Sequence, residues 1–144
     1  ERVFDFGSSD AGEGNQGSGA TYLFFSPKSS NSQIHGTIRT RSTNGELLVI
    51  DAPAAIDQTV VVALVVDDVH DTLSLYKDGT FRSSVAFLGH LNEIQDVNNW
   101  LGRSQFKDAA FAGTIDELRI YGTALSARAI AKSFGDGPDA AHKP

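Results

Sequence analysis

The chain has 144 residues, 40% hydrophobic and 21% charged, with a formal charge of −6. That is enough for one domain with a two-layer core, and the acidity argues against a nucleic-acid phosphate backbone as partner. Cysteine is absent, which excludes disulfides and thiolate metal sites, and the longest apolar run, residues 60–66, is too short to span a membrane.

Residues 2–6 alternate Val3 and Asp5 with Phe4 and Phe6, which predicts a short strand with an inward aromatic face, ended by Gly7. Residues 8–20 hold Gly, Ser, Asp, Glu and Asn and no bulky apolar residue, and read as a long mobile loop. Within it Asp10, Glu13 and Asn15 match no calcium-loop spacing, so solvated side chains are expected. Residues 21–26 form a second strand that Pro27 stops, and 28–32 a polar turn. In 34–41, Ile34, Gly36, Ile38 and Thr40 share one parity, and His35, Thr37, Arg39 and Arg41 the other. This predicts a strand with one apolar and one basic, polar face. Asn44-Gly45 is a tight hairpin signal that sets it antiparallel to 46–51.

The β-branched run 59–67 predicts a central strand buried on both sides. Residues 72–77 and 80–87 flank Asp78-Gly79, a second hairpin. Residues 88–97 lack either period and read as a loop with at most a helical turn, and 98–104 as a strand containing Trp100. Phe106 and Phe111 then flank a polar loop.

In 111–121, Leu118 and Ile120 alternate against Ile115 and Tyr121, which predicts a strand. A short helix follows. Ser126 is its N-cap, Leu125 packs on Ile130 as a staple, and Gly135 is its left-handed stop. The tail 136–144 has nothing to bury and reads as a linker, which leaves 1–135 as the domain. Eight or nine short strands, two hairpins and one late helix make an all-β, antiparallel two-sheet sandwich.

The string Gly113-x-Ile115-Asp116-Glu117-x-Arg119-Ile120-Tyr121 with Ala124-Leu125-Ser126 resembles the closing strand and helix of laminin-G-like, concanavalin-A-like jelly-roll domains. Arg2-Val-Phe-Asp-Phe-Gly7, Tyr22-Leu-Phe-Phe-Ser-Pro27, Leu73-x-Leu75-Tyr76-x-Asp78-Gly79 and Asn99-Trp-Leu-Gly-Arg-Ser104 fall in the order of bacterial modules of that kind. The resemblance implies an accessory module of a larger, extracytoplasmic protein. It also implies one or two strands preceding Glu1, consistent with a chain that lacks methionine and begins within a predicted strand.

The same fold houses glucanases, whose carboxylates occupy alternate positions of one strand. Here that register reads Thr114, Asp116, Leu118. Asp116 and Glu117 are adjacent and point to opposite faces of an extended chain, so a glucanase is rejected and a non-catalytic domain expected. No nucleophile elbow, histidine pair at metal spacing or phosphate-binding glycine loop is present. What remains is a binding surface for a glycan, a polysaccharide or another polymer.

Sugars stack an apolar face on Trp or Tyr and engage Asn, Asp and Arg at the rim. Trp100 with Asn99 and Arg103 is the first candidate, and Tyr22, Asp5, Arg39 and Arg41 are candidates from strands that could share its sheet. Two placements are open for Trp100. Either Leu101 enters the core and Trp100 faces out, or the reverse; the resemblance implies an inward Leu101. For Asp116 the resemblance implies a structural calcium ion, held with backbone carbonyls. The alternatives are hydrogen bonds to loop N–H groups or pairing with Arg103 or Arg119. The other function class is a structural or protein-interaction domain that docks a neighbouring catalytic domain of the same polypeptide.

Overall fold

The computed structural model describes residues 1–53 and 57–138. Eight strands form among them: β1 (Phe4–Ser9), β2 (Gly19–Ser26), β3 (Ile34–Arg39), β4 (Leu47–Asp51), β5 (Val62–Asp67), β6 (Thr72–Lys77), β7 (Thr80–Ala86) and β8 (Asn98–Leu101). All pairs are antiparallel. They make a five-stranded sheet in the order β4-β3-β2-β1-β8 and a three-stranded sheet in the order β5-β6-β7, followed by one helix, α1 (Ala127–Asp136). This is the all-β two-sheet sandwich with a C-terminal helix that the sequence predicts.

Alternation decides which side chains meet between the sheets. Phe25, Ile34, Ile38 and Val49 from the large sheet pack with Leu73 and Leu75 from the small one and with Phe87 beyond β7. Each contributes about 1.5 to 3 kcal/mol by leaving water. Gly36 lets the sheets approach, since a Cβ there would lie 2.3 Å from Leu64 Cδ2 and 2.9 Å from Val49 Cγ2. At one margin the Ser83 hydroxyl accepts from Ile50 N (3.1 Å) and donates to Ile50 O (2.8 Å), which ties β7 to β4.

Several expectations are corrected. Gly7 does not end β1; it lies inside it at φ 147°, paired with Tyr22. A Cβ at Gly7 would stand 2.1 Å from the backbone oxygen of Thr21, which cannot move aside. Gly7→Ala should therefore cost roughly 3 kcal/mol or more in a urea melt, and a neutral result would contradict this register. The segment between β1 and β2, read from composition as a loop, is tied to the fold by hydrogen bonds. Asp10 N donates to Ser18 O (2.9 Å), Gly14 N to Asn98 Oδ1 (2.8 Å) and Gly17 N to Gln105 O (2.8 Å). Composition showed no apolar anchor there, but backbone groups supply the anchoring.

The run ending in β5 is an edge strand, half-buried along its length, not a central one. An apolar run without period does not distinguish the two positions. The β3–β4 connection is wider than a two-residue Asn-Gly turn, since the register closes at Ile38 and Leu47. The polar face of β3 is not a solvent face throughout, because Thr37 is fully buried.

Residues 111–121 join no ladder among the described residues, and Leu118, Ile120 and Tyr121 are exposed. Alternation names the side chains that could share a face but supplies no partner strand. Ser126 caps α1 as expected, its hydroxyl accepting from Ala129 N at 3.2 Å, and Ile130 is buried. Gly135 lies inside the helix, and Gly137 (φ 79°) is the residue that ends it. Ser126→Ala should cost roughly 1 kcal/mol and Ile130→Ala roughly 2 to 4 in urea melts. Neutral behaviour at both would show that α1 is not docked. Of the expected linker, residues 139–144 lie outside the described residues.

The loop after β3 is closed by a carboxylate from the short helical turn Leu91–Glu93. Ser42 N donates to Glu93 Oε2 (2.9 Å) and the Ser42 hydroxyl donates to Oε1. Hydrogen bonds from the Ser42 hydroxyl and backbone N–H hold the Glu93 carboxyl at about 2, below its ordinary 4.5. The folded value lies below the unfolded one, so this stabilisation is present above about pH 4.5 and lost as pH falls toward 2. Urea melts should therefore show Glu93→Gln weakening the fold at pH 6 and making little difference at pH 2. An equal loss at both would contradict it.

Candidate functional site

Strand register places the sequence candidates on faces. Across the large sheet, on the side away from the core, one row runs Trp100, Asp5, Phe24, Thr37, Leu48 and the next Asn98, Gly7, Tyr22, Arg39. Trp100, Asp5, Tyr22 and Arg39 thus share one face, as a common concave sheet requires. Asn99 does not. It pairs with Phe6 on the opposite side and donates to Asp96. There, with Phe6, Leu23, Leu91, Ile94, Asp96 and Ile120, it lines an open cavity of about 360 Å³. Leu101 also has core-side parity, opposite Phe4, yet is 51% exposed. Arg41 lies beyond the end of β3 and is exposed.

The centre of the outer face is filled by the chain itself. The residues after β8 fold back over it, and Phe106 meets the Tyr22 ring edge-on with centroids 5.6 Å apart. The Arg2 guanidinium lies 3.5 Å from the Phe24 ring centre and 4.5 Å from that of Phe106. Asp5, with no exposed surface, accepts from Arg2 Nη1 and from Gln105 N (2.8 Å). The Gln105 amide donates to Asn98 O (2.9 Å) and accepts from Asn98 Nδ2 (3.1 Å). The Gln16 amide donates to Ser104 O (3.1 Å) and Phe106 O (2.8 Å). A cation, a carboxylate and two amides thus bond one another under a plug of aromatic rings, both bonds to Asp5 falling on Oδ2 while its buried Oδ1 has no partner among the described residues.

Tyr22 and Asp5 are consequently walls of the plug and not reachable by a ligand. The Tyr22 hydroxyl donates to Glu46. Burial first, then Glu46, pushes its pKa well up, while Arg39 works against that. Burial likewise raises the Asp5 carboxyl above the ordinary carboxylate range, outweighing Arg2 and the Gln105 N–H. Sequence reasoning missed Arg2, Gln105, Phe106 and Asn98 as parts of this assembly. The only local signal was Arg2 three residues before Asp5, which does not reveal a loop that returns from the far end of the chain.

Trp100 stands at the margin of the plug. It is half-buried, outside the sandwich core, with the Arg103 guanidinium 3.9 Å from its ring centre. Arg103 is exposed, and its Nη2 donates to Gly14 O at 3.0 Å, so the loop after β1 forms the neighbouring wall. Chemically this is an aromatic face backed by a guanidinium beside a rim of backbone groups.

Asp116 is exposed, and Arg119 bonds Glu117 (2.6 and 2.8 Å). Among the described residues no group of three His, Asp or Glu side chains able to hold a metal forms. The side chains around Asp116 therefore do not make a calcium cage; an ion there would depend on backbone carbonyls.

Residues 2–131 match the family described as the concanavalin A-like lectin/glucanases superfamily. Among solved structures, the chain is similar to the CBM40 carbohydrate-binding module of the Ruminococcus gnavus IT-sialidase, with TM-score 0.63 and 16% identity. The alignment covers 91% of this chain and 72% of that one. It is also similar to residues 221–444 of an S-layer domain-containing protein from Clostridium thermocellum, with TM-score 0.48 and 22% identity, over 93% of this chain and 62% of that one. No curated protein sequence matches the chain.

Proposed function

The chain belongs to the concanavalin A-like lectin/glucanases superfamily, and from that premise we propose that it is a non-catalytic carbohydrate-binding accessory module of a larger extracytoplasmic protein. The observation that carries this reading is the placement of Trp100. The chain's single tryptophan lies outside the core, at an open margin of the outer face, with Arg103 and the Gly14 carbonyl beside it. A large aromatic ring left at a surface beside polar groups suits a sugar, which has an apolar face and a hydroxylated rim. The likeness to a carbohydrate-binding module supports the fold on which such a site would sit.

Lack of catalysis rests on the carboxylates. Asp116 and Glu117 are adjacent, and Glu117 is committed to Arg119. Turnover of a β-glucan that disappears in Asp116→Asn would overturn this part. The test of the main reading is a glycan-array screen of the intact domain with and without calcium. Saturable binding of a glycan set is expected, and binding of none would defeat the reading. A structural calcium ion at Asp116 is the calcium arm of the proposal. If bound, saturating calcium raises the melting temperature by mass action and Asp116→Asn removes the rise. Identical melts in calcium and chelator would remove the ion from the account.

A second reading draws on a different surface. Leu118, Ile120 and Tyr121 present apolar area to solvent, Ile120 being 75% exposed, which suits a module that docks a neighbouring domain of the same polypeptide.

A further inference from the structure

Resting on the carbohydrate reading, we propose that the Trp100–Arg103 site takes an acidic saccharide, one bearing a carboxylate, and that Arg103 sets this preference. Arg103 covers one face of the Trp100 ring, its guanidinium carbon 3.9 Å from the ring centre, so a sugar at this ring has the guanidinium as its neighbour.

The guanidinium is held in place. It lies over the Trp100 ring, and Nη2 donates to Gly14 O at 3.0 Å. That bond uses one of its N–H donors, and the remainder, on Nε, Nη1 and Nη2, find no protein acceptor among the described residues. One edge of the planar fork therefore stays open to accept two oxygens side by side.

Arg2 has Asp5 and Asp108, Arg82 has Asp51 and Arg119 has Glu117, whereas among the described residues Arg103, like Arg39, Arg41 and Arg128, has no carboxylate within ion-pair distance. Of these four, Arg103 is the one that lies over an aromatic ring. A fixed, exposed guanidinium without a counter-ion is preorganised for a planar anion, and the ordering cost is already met in the free protein. The chain's overall charge of −6 opposes anions at long range. It is screened beyond about 8 Å at physiological salt, so the contact itself decides.

Two sources share this chemistry, uronic acids and sialic acids. The experiment compares polygalacturonate oligomers with their methyl esters, and sialyllactose with lactose, by calorimetric titration of the intact domain. Wild type, Arg103→Gln and Arg103→Lys are measured in parallel. One acidic arm is expected to bind at least about tenfold tighter than its neutral counterpart. Arg103→Gln should abolish the difference, and Arg103→Lys should keep only part of it because an ammonium lacks the planar fork. Melting temperatures should be unchanged in both variants, since Arg103 is exposed. Equal binding of acidic and neutral forms, or a preference that survives Arg103→Gln, overturns this inference and leaves the carbohydrate reading standing. Absence of binding to these probes together with an empty glycan array defeats both.

Discussion

Replacing Asp5 with alanine is expected to cost roughly 3 to 5 kcal/mol of folding stability, the loss that follows when one member of a buried ion pair is removed and the other stays. Arg2 would be left as a cation enclosed by Phe24, Phe106 and Tyr22, with Asp108 at 3.6 Å as its remaining carboxylate. Gln105 N would lose its acceptor at the same time. Because that bond holds the returning loop on the sheet, the damage should reach Trp100 and Arg103, which flank the same loop. Urea melts of Asp5→Ala, and of Asp5→Ala combined with Arg2→Met, measure it. The double variant should recover part of the loss, since the stranded cation is gone. A near-neutral Asp5→Ala would mean that the plug does not hold the outer face.

The Asp5 carboxyl carries a pH consequence of opposite sign to that of Glu93. Its folded pKa is raised, so with respect to this group the fold gains stability as pH falls through the raised value. Acid unfolding is driven instead by carboxylates held low, of which Glu93 is one.

Trp100→Ala should abolish glycan binding while costing well under the roughly 3 to 5 kcal/mol expected of a fully buried aromatic. The ring is half-buried and sits outside the core cluster, so its removal opens no cavity between the sheets. It does remove the surface that positions Arg103. Array binding and urea melts of the variant together decide the matter. A large stability loss with unchanged binding would assign Trp100 to the scaffold.

Most of the strands, the β6–β7 hairpin and the cap of α1 were legible because each rests on neighbouring residues. Asp78 (φ 51°) and Gly79 (φ 73°) turn the chain where the dipeptide said they would, and Ser126 meets Ala129 N three residues on. The shared face of Trp100, Asp5, Tyr22 and Arg39 was also within reach, because period two fixes it once strands are paired. Asn99 was misgrouped with Trp100 because adjacency in sequence is opposition in a strand. The plug was not legible. It joins Asp5 to Gln105, one hundred residues apart, through a backbone N–H, a group that every residue except proline carries. The edge position of β5 and the fact that 111–121 joins no ladder among the described residues likewise depend on which strands lie alongside, and hydrophobic pattern is silent on that.

Because Trp100 is the only tryptophan in the chain, its fluorescence reports the proposed site alone. The domain is titrated with a glycan selected from the array while emission is followed, and the affinity is measured in parallel by calorimetry. If the sugar binds at Trp100 and Arg103, emission should change saturably with the calorimetric midpoint, and Arg103→Gln should weaken both together. Saturable heat with an unchanged tryptophan signal would place the glycan elsewhere on the domain and contradict the assignment.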